Sequence, residues 1–309
     1  MLAVRLLQDQ NIEVRGITFE TPFFGSAGAQ KAANQIGVSL KVVDIGGAHL
    51  EMLKNPVYGY GRQMNPCIDC HALMLRMAGG IMDDEGYDLL CTGEVLGQRR
   101  MSQRKDALMA VDKLSGYGGH ILRPLSAKLL PETIPEREGK IDRQSLLDIH
   151  GRSRRRQMAL AERYGILDYP GPGGGCLLTD VSFSDRLRDL LATHEEVELR
   201  DVELLKWGRH LRLYSGTRLV VGRVHGDNVK LQELSRSDDL LFEVRGVPGP
   251  TGLIVAEVSS EDMELAAAIV AAYSDAATGD DAIVVVSGKE NREVKVNTPL
   301  KEEFRQLLI

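Results

Sequence analysis

Segments with the pattern of β-strands alternate with segments that have the spacing of α-helices in the first half of the chain. Strands are predicted at residues 14–19, 40–45 and 87–93, and helices at 2–10, 27–37 and 70–86. Strands and helices that alternate at this pace are typical of βαβ units, in which the strands are parallel. The sequence therefore predicts an α/β domain with a parallel sheet.

The first predicted element of this domain is a helix. Parallel α/β sheets usually begin with a strand, and their ligands bind at the carboxyl ends of the strands. Two interpretations follow. Either the fold begins with a helix, or the first strand of the sheet and the loop after it are absent from this chain.

The pattern changes after about residue 150 and predicts a second domain. Helices are predicted at 153–166 and 184–194, with Ser184 as the N-cap of the latter, and a glycine-rich loop at 171–176. Short strands follow at 210–216, 218–224, 229–234, 252–258 and 282–288, with a turn at 225–228 and a helix at 261–275. We therefore expect two domains, an α/β domain of residues 1–194 and a smaller α+β domain of residues 195–309.

Charge is distributed unevenly between these two domains. The net charge is -6, and residues 195–309 contain 14 Lys and Arg against 21 Asp and Glu. Residues 1–194 hold the remaining 24 basic and 23 acidic residues. Because polyanions bind to clustered positive charge, a nucleic-acid site is expected in the first domain.

The chain has the features of a cytoplasmic protein. It contains no apolar run of about 20 residues that could span a bilayer, and its first residues lack the apolar core of a secretory signal. Thiols stay reduced in the cytoplasm, so the four cysteines are expected to be ligands or reagents and not disulfides. No membrane partner is expected.

Three cysteines are the candidate catalytic and metal-binding residues. Cys67 and Cys70 form a CxxC pair at the start of a predicted helix, where thiolates are stabilised, and Cys176 follows three glycines. Three cysteines can hold three irons of a 4Fe–4S cluster and leave the fourth open. The same residues could instead form a persulfide and disulfide relay.

Other interpretations of the CxxC pair remain. CxxCH is also the attachment pattern of haem c, which requires an exported chain. A structural zinc site would need a fourth ligand, and His71 or Cys91 would have to supply it. Cys91 lies within an apolar predicted strand, where a buried inert thiol is the usual finding.

A polar loop and a run of arginines supply the other candidate residues. The loop at 92–103 leaves a strand at its carboxyl end, where α/β proteins bind ligands, although it could be a solvated loop. Its candidates for cofactor binding are Gly93, Glu94, Gln98, Arg99, Ser102 and Gln103. The candidates for RNA phosphate binding are Arg123, Lys128, Arg152, Arg154, Arg155 and Arg156. The arginine run could equally be a solvated helix face.

Five stretches together resemble one known family. They are NPCIDCH, LLCTGEVLGQRRMSQ, ILRPLSAKLLPET, GRSRRRQ and PGGGCLLTD. They are similar to PP-loop ATP pyrophosphatases of the tRNA thiouridine synthetase type, in the group with an NFACT-R-like C-terminal domain. Residues 206–213, 220–228 and 247–250 look like that RNA-binding module, whose local candidates here are Arg209, Arg212 and Arg223.

The resemblance implies a fold and a reaction. The fold is a parallel HUP-type (adenine nucleotide α-hydrolase-like) domain followed by the smaller α+β domain. The reaction uses ATP and Mg²⁺ to adenylate a carbonyl oxygen of a tRNA uridine, and sulfur then replaces that oxygen as AMP and pyrophosphate depart. The implied partners are tRNA and a sulfur donor, either sulfide or a persulfide carrier, and a homodimer is left open.

The resemblance also assigns roles to the cysteines. Cys67, Cys70 and Cys176 match the three cysteines that hold a 4Fe–4S cluster in the cluster-dependent members. Cys176 alone matches the persulfide cysteine of related enzymes that have no cluster.

The chain departs from this family at one place. The family signature, an SGGxDS loop after the first strand that binds the pyrophosphate of ATP, does not occur in this sequence. We therefore expect either a chain start that lies within the full domain or a protein without the ATP site. As alternatives to a tRNA sulfurtransferase, the sequence allows an inactive RNA-binding protein with a structural metal, or a desulfidase of thiolated bases.

Overall fold

The computed structural model describes residues 1–169, 171, 175–255 and 258–309, and the chain forms two units, Met1–Asp180 and Val181–Ile309. The sequence predicted the division after residue 194. In the structure, the helix at 181–193 belongs to the second unit. No helix in the described part of the chain is both long and apolar enough to cross a membrane.

Two pairs of parallel strands form the sheet layer of the first unit. Strand β1 (Gly16–Glu20) pairs with β2 (Leu40–Asp44), and β3 (Leu90–Cys91) pairs with β4 (Ile121–Leu122). The parallel strands that the sequence predicted are therefore present. Assignment to the HUP type stays a prediction.

Seven α-helices accompany these strands in the described residues of the first unit. They are α1 (Leu2–Gln8), α2 (Ala27–Ile36), α3 (Gly46–Lys54), α4 (Cys67–Glu85), α5 (Lys105–Ser115), α6 (Ile134–Arg137) and α7 (Arg155–Arg163). Helix α2 ends where the sequence predicted, because Gly37 adopts the left-handed conformation with φ 67°, which costs glycine little. Short 3₁₀ turns lie at 118–120, 127–129, 143–145 and 177–179.

Helix α4 packs across both strand pairs. Ala78 and Met82 of α4 belong to one buried cluster with Phe19 of β1 and Leu90 of β3. Leu7 of α1 belongs to a second cluster, which includes Leu122 of β4 and is extended by the half-buried Leu89 and Cys91. Since successive residues of a strand point to opposite faces, α1 and α4 cover the two faces of β3.

A buried carboxylate fixes the start of α4. The Asp69 carboxylate, in the first turn, accepts backbone N–H groups from Val57 at 2.7 Å and from Tyr58 at 3.1 Å. The loop between α3 and α4 is further closed by the Tyr60 hydroxyl, which donates to the Leu53 carbonyl at 2.7 Å. These bonds hold the helix start, and with it the CxxC pair, against the preceding loop.

The second unit contains one antiparallel sheet of six strands in the order β10-β9-β7-β8-β6-β5. The strands are β5 (Arg209–Arg212), β6 (Arg218–Val221), β7 (Leu240–Val244), β8 (Gly252–Ile254), β9 (Asp281–Gly288) and β10 (Arg292–Asn297). The helices are α8 (Val181–Thr193), α9 (Leu199–Leu204), α10 (His225–Leu234) and α11 (Ser260–Ala272), followed by a 3₁₀ segment at Lys301–Leu307. Helix α11 packs on the sheet through a fully buried apolar face.

Three predictions for the second unit were wrong. The predicted strand 229–234 and the predicted turn 225–228 together form α10, because Leu231 and Leu234, one helical turn apart, pack against Leu204 of α9 and Leu253 of β8. Ser184 is a buried residue inside α8 and not its N-cap, since the helix begins at Val181.

We predict that Asp69→Ala lowers the free energy of unfolding of the first unit by about 2 kcal/mol, because two backbone N–H groups lose a charged acceptor. Urea denaturation followed by far-UV circular dichroism measures this change. Asp84→Ala, at an exposed position of the same helix, is the control and should cost less than about 0.5 kcal/mol. Equal stability of the two variants would contradict the anchoring role.

Candidate functional site

The three candidate cysteines line one cavity of the first unit. This cavity has a volume of about 960 Å³, and Cys67, Cys70 and Cys176 all contribute to its wall. All three are half-buried free thiols. The structure therefore brings together the CxxC pair and a cysteine that lies more than a hundred residues later.

Local structure explains how each cysteine reaches the cavity. Cys67 and Cys70 occupy the first turn of α4, where the Cys70 N–H donates to the Pro66 carbonyl at 2.8 Å. Cys176 directly precedes the 3₁₀ turn at 177–179, and the Leu177 N–H donates to the Phe23 carbonyl at 3.1 Å. That bond fixes the Cys176 segment beside the loop that follows β1. Of the predicted glycine-rich loop at 171–176, residues 172–174 lie outside the described residues.

Burial raises the pKa values of two of the cysteines. Burial, together with the charges of the Cys176 and Cys67 thiolates, raises the pKa of Cys70 well above its usual range, and burial also raises that of Cys176. The thiol form of Cys70 and Cys176 is thus favoured unless a positive centre lies between the sulfurs. The Asn65 amide donates a hydrogen bond to the Cys67 sulfur at 3.1 Å.

The three thiols have the chemistry of metal ligands, and the group that they would hold stays a prediction. In the described part of the chain, no group of three or more His, Cys, Asp or Glu side chains is placed to hold one metal ion. Three thiols around one cavity are the donor set that a 4Fe–4S cluster uses. The zinc site that the sequence left open would need a fourth ligand.

A chain of charged side chains borders the cysteines. His71 Nδ1 lies 2.9 Å from Glu94 Oε1, and Arg123 Nε donates to Glu94 Oε2 at 2.9 Å. Arg123 also donates to both oxygens of Asp112, at 3.1 and 2.7 Å. His71 follows Cys67 by four residues, a spacing that places both on one face of α4. The hydrogen bond to Glu94 leaves His71 Nε2 as the ring nitrogen available to a ligand.

The two carboxylates that share Arg123 respond to it differently. Burial opposes ionisation of Glu94, but the hydrogen bond to His71 and the charge of Arg123 outweigh burial and lower its pKa to about 2. Burial dominates at Asp112 and raises its pKa despite the same guanidinium. Both carboxylates contact the Arg123 guanidinium, and Glu94 has the additional His71 contact.

The other predicted cofactor residues divide into two sets. Gly93, Glu94 and Arg99 line the cavity with the cysteines. Ser102 and Gln103 are buried and do not line it; the Gln103 carbonyl accepts the Gly97 N–H at 2.6 Å and closes the loop. This position favours a structural role for Ser102 and Gln103 over the ligand contact that the sequence predicted.

The predicted RNA-binding residues also separate. Arg123 is buried in its two ion pairs, which favours a structural role over a phosphate contact. Lys128 is exposed, and its ammonium group donates to the Gln144 carbonyl at 2.7 Å. Arg152, Arg155 and Arg156 are exposed at the start of α7, whereas the half-buried Arg154 lies over the ring of Tyr169.

The arginine run adjoins the loop that follows β3. The Gly151 N–H donates to the Leu96 carbonyl at 2.7 Å, and the Gln98 amide donates to the Gln157 side chain at 2.9 Å. These bonds join two segments, 96–105 and 150–158, which we call the arginine surface. Its exposed basic residues are Arg99, Arg100, Arg104, Lys105, Arg152, Arg155 and Arg156. The sequence predicted only part of this set as RNA-binding residues, because the two segments come together only in the folded chain.

The arginines predicted as an RNA patch in the second unit are engaged in contacts. Arg212 pairs with Asp189, Arg223 Nε lies 2.9 Å from Asp227, and Arg209 lies 4.7 Å from the ring centre of Tyr273. Two of the three charges are thus already neutralised by carboxylates. This agrees with the acidic composition of the unit.

We predict that Glu94→Gln destabilises the protein by about 2 kcal/mol at pH 7, because Arg123 and His71 lose a charged acceptor. A carboxylate with a depressed pKa stabilises the fold above its unfolded pKa, and this stabilisation is lost as pH falls through the folded value, here about 2. The difference in the free energy of unfolding between Glu94→Gln and the parent protein should therefore become smaller from about pH 5 downward.

Urea denaturation at pH 7, 5 and 3.5 measures this difference in the free energy of unfolding. Glu162→Gln, at an exposed site, is the control and should unfold with the same free energy as the parent protein at each of these pH values. A difference for Glu94→Gln that stays constant with pH would show that the Glu94 charge is not the stabilising element.

Comparison with known proteins gives one family match, which lies within the second unit. Residues 208–307 match the family described as the NFACT protein RNA binding domain. The resemblance of this part of the chain to an NFACT-R-type module is thus confirmed, and RNA is supported as a partner. The resemblance of the first unit to PP-loop enzymes lies outside this match and stays a prediction.

The remaining comparisons identify no further family. One solved structure, of the C-terminal part of the fibronectin/fibrinogen-binding protein from Streptococcus suis, is 13% identical, with coverage of 78% of this chain and 94% of that chain. Its TM-score is 0.29, too low to support a statement about fold or function. The comparison with curated proteins found no match. The NFACT-type RNA-binding region is therefore the part of the chain whose family is identified.

Proposed function

We propose that this protein binds tRNA and transfers sulfur to one of its uridines, with Cys67, Cys70 and Cys176 as the sulfur centre. The observation that carries the proposal is that three free thiols from distant parts of the chain line one cavity. That cavity lies where β3 ends, at the position where α/β proteins bind their ligands.

The residues around the cavity provide the groups that such a reaction requires. The three cysteines would hold a 4Fe–4S cluster, which supplies an iron with an open position for sulfur. Without a cluster, Cys176 would carry the sulfur as a persulfide. The Asn65 amide donates a hydrogen bond to the Cys67 sulfur, and Glu94 orients His71. The family resemblance implies that ATP and Mg²⁺ activate the uridine oxygen as an AMP ester before sulfur replaces it.

The arginine surface supports RNA as the substrate. Arg99 belongs both to this surface and to the cavity wall, so the positive charge reaches the cysteines directly. Acidic residues neutralise only some of this charge, through the pairs Arg104–Asp106 and Arg156–Asp148. Met101 and Met158 are each 50% exposed within the same segments and offer apolar surface for bases. A polyanion that binds here would therefore lie beside the sulfur centre.

Anaerobic purification tests the sulfur centre. We expect the parent chain to carry about four irons and a broad visible absorbance, and Cys67→Ala, Cys70→Ala and Cys176→Ala to lose both. Cys91→Ala is the matched control, because Cys91 is a half-buried free thiol of β3 that the family resemblance does not include among the cluster ligands. A persulfide on Cys176, detected by mass spectrometry in an iron-free protein, would favour the alternative sulfur carrier.

The reaction itself is tested on tRNA. We expect tRNA from a strain without this gene to lack one thiolated uridine, measured by mass spectrometry of nucleosides. The parent gene should restore it and the Cys176→Ala gene should not. If the deletion strain retains every thiolated nucleoside, the proposed function is wrong, whatever the iron content.

The arginine surface gives a separate prediction. We expect the double variant Arg100→Ala with Arg155→Ala to bind tRNA about tenfold more weakly, and its slope of log K against log salt to fall by about 2, since each phosphate contact contributes roughly one. Filter binding between low and moderate salt measures both quantities. The control is Arg188→Ala with Lys230→Ala, which removes two cations of the second unit, the exposed Arg188 and the half-buried Lys230. Equal losses in both double variants would contradict the arginine surface as the docking site.

A second candidate function follows from the family match. The NFACT-type region supports a protein that binds RNA and has no activity of its own. In that case tRNA binding persists while the thiolated nucleosides of the deletion strain are unchanged. The nucleoside measurement therefore separates the two candidates.

A further inference from the structure

The segment between α3 and α4, residues 55–66, presents aromatic and apolar side chains to solvent, and we call it the tyrosine loop. Val57 is 74% exposed and Tyr58 is 48% exposed, and Tyr60 is exposed as well. Single exposed apolar side chains are common on proteins, whereas several close together are typical of a binding surface. The tyrosine loop therefore has the composition of a surface that contacts a partner.

A buried carboxylate holds the tyrosine loop in one conformation. Asp69 is buried in the first turn of α4, and its two oxygens accept backbone N–H groups of the loop. Oδ1 accepts the Val57 N–H at 2.7 Å, and Oδ2 accepts the Tyr58 N–H at 3.1 Å. The Tyr58 ring is thus attached to a fixed backbone, so that a ligand which stacks on it orders few additional torsions.

The far end of the tyrosine loop is fixed to the cysteine site. The Gly61 N–H donates to the Asn65 carbonyl at 2.9 Å, and the Gln63 N–H donates to the Asn65 side chain at 3.2 Å. The Asn65 amide in turn donates to the Cys67 sulfur. A Cβ atom at Gly61 would lie 2.5 Å from Asn65 Nδ2, so a larger residue there would displace this amide. The conformation of the loop and the surroundings of Cys67 are therefore determined together.

The charge of the tyrosine loop favours a polyanionic partner. Residues 55–66 contain no Asp or Glu and one cation, Arg62. Arg62 is exposed, and it forms no ion pair with any residue that the structure describes. Aromatic rings beside unpaired positive charge are typical of proteins that bind single-stranded nucleic acid, because the rings stack on bases while the cations contact phosphates. The loop therefore suits RNA better than an apolar protein surface.

The tyrosine loop also lies close to the CxxC pair. Asp69, which holds the backbone of Tyr58, lies between Cys67 and Cys70 in the sequence of α4. A helix with its side chains is about 10 Å across, so the Tyr58 backbone is about that far from the two thiols. Stacked nucleotides of one strand are about 3.4 Å apart. A base on Tyr58 would thus belong to a nucleotide about three positions or fewer from one at the cysteines.

A ring in this position selects for an unpaired base. Proteins recognise an RNA duplex mainly through its shape, its phosphates and its 2′-hydroxyl groups, whereas the bases of single strands stack on aromatic side chains. Enzymes that react with a base use a single-stranded region or take the base out of its stack. The neighbouring base then loses a stacking partner, and an aromatic ring beside the reactive centre replaces that partner.

We propose that Tyr58 is a stacking site for an unpaired RNA base near the reacting uridine, and that Arg62 contacts the phosphate backbone beside that base. The tyrosine loop thus adds a contact with single-stranded RNA that the arginine surface, which binds through charge, does not supply. That the neighbouring nucleotide is a reacting uridine rests on the proposed function. Stacking on Tyr58 itself does not require the sulfur reaction.

Binding of single-stranded and duplex RNA tests the stacking site. We expect Tyr58→Ala to bind a single-stranded RNA of about 12 nucleotides roughly tenfold more weakly than the parent protein does, because one stacked base is lost. Tyr58→Phe keeps the ring and should bind like the parent. Neither variant should change the affinity for a duplex of the same length or the slope of log K against log salt. Filter binding measures all three quantities.

A tryptophan in the loop reports the contact directly. The chain contains one tryptophan, Trp207, which lies in the second unit. Tyr58→Trp keeps an aromatic ring and adds a second fluorophore, whose emission the single-stranded RNA should quench at the concentrations at which it binds. Met77→Trp, at an exposed position of α4, is the matched control, and the RNA should leave its added emission unchanged.

Three results would overturn the stacking site. They are equal affinities of Tyr58→Ala and Tyr58→Phe for the single strand, equal losses for single strand and duplex, and no quenching in Tyr58→Trp. None of these measurements depends on iron or on thiolated nucleosides. Their failure would therefore leave the sulfur reaction standing, and unchanged nucleosides in the deletion strain would leave the stacking site standing.

Discussion

The packing of α4 against two strand pairs is the contact on which the first unit depends. Pairs β1-β2 and β3-β4 share no ladder within the described residues, and Ala78 and Met82 of α4 join them by packing against Phe19 and Leu90. The same helix begins at Cys67 and carries Asp69 and His71 in its first turns. The apolar face of α4 therefore positions the strands, and the amino-terminal end of the same helix positions Cys67, Asp69 and His71. The hydrogen bonds to Asp69 keep that end in place.

The two units differ in the way they use charge. In the second unit, the arginines of the antiparallel sheet are largely neutralised by nearby carboxylates, such as Asp189, which contacts both Arg212 and Arg218. In the first unit, the arginine surface retains cations that make no ion pair in the described part of the chain, among them Arg100 and Arg155. The family match supports RNA binding by the second unit. The charge distribution is the basis for the proposed docking surface in the first unit, beside the cavity that contains the cysteines.

Helices and strands with a regular hydrophobic period were predictable from the sequence, whereas tertiary contacts were not. The first helix and strand, the glycine that ends α2 and the CxxC at the start of α4 follow from local rules, and the structure contains them. Residues 229–234 alternate like a strand but fold as a helix, because Leu231 and Leu234 find partners on α9 and β8. Arg123 was predicted to bind phosphate because its partners, Glu94 and Asp112, are distant from it in sequence and their contacts form only in the folded chain. Cys176 was grouped with the CxxC pair from residue type and its glycine-rich context, and the family resemblance implied the same set of three.

The origin of the three thiols in two separate segments has a thermodynamic consequence. Anything bound among them would contact the start of α4 and the segment of Cys176 at the same time. Because such coupling is reciprocal, a ligand at the cysteines would stabilise the contact between these two segments by the same factor by which that contact tightens the ligand. The order of the helix start and the affinity of the site would thus be one linked equilibrium.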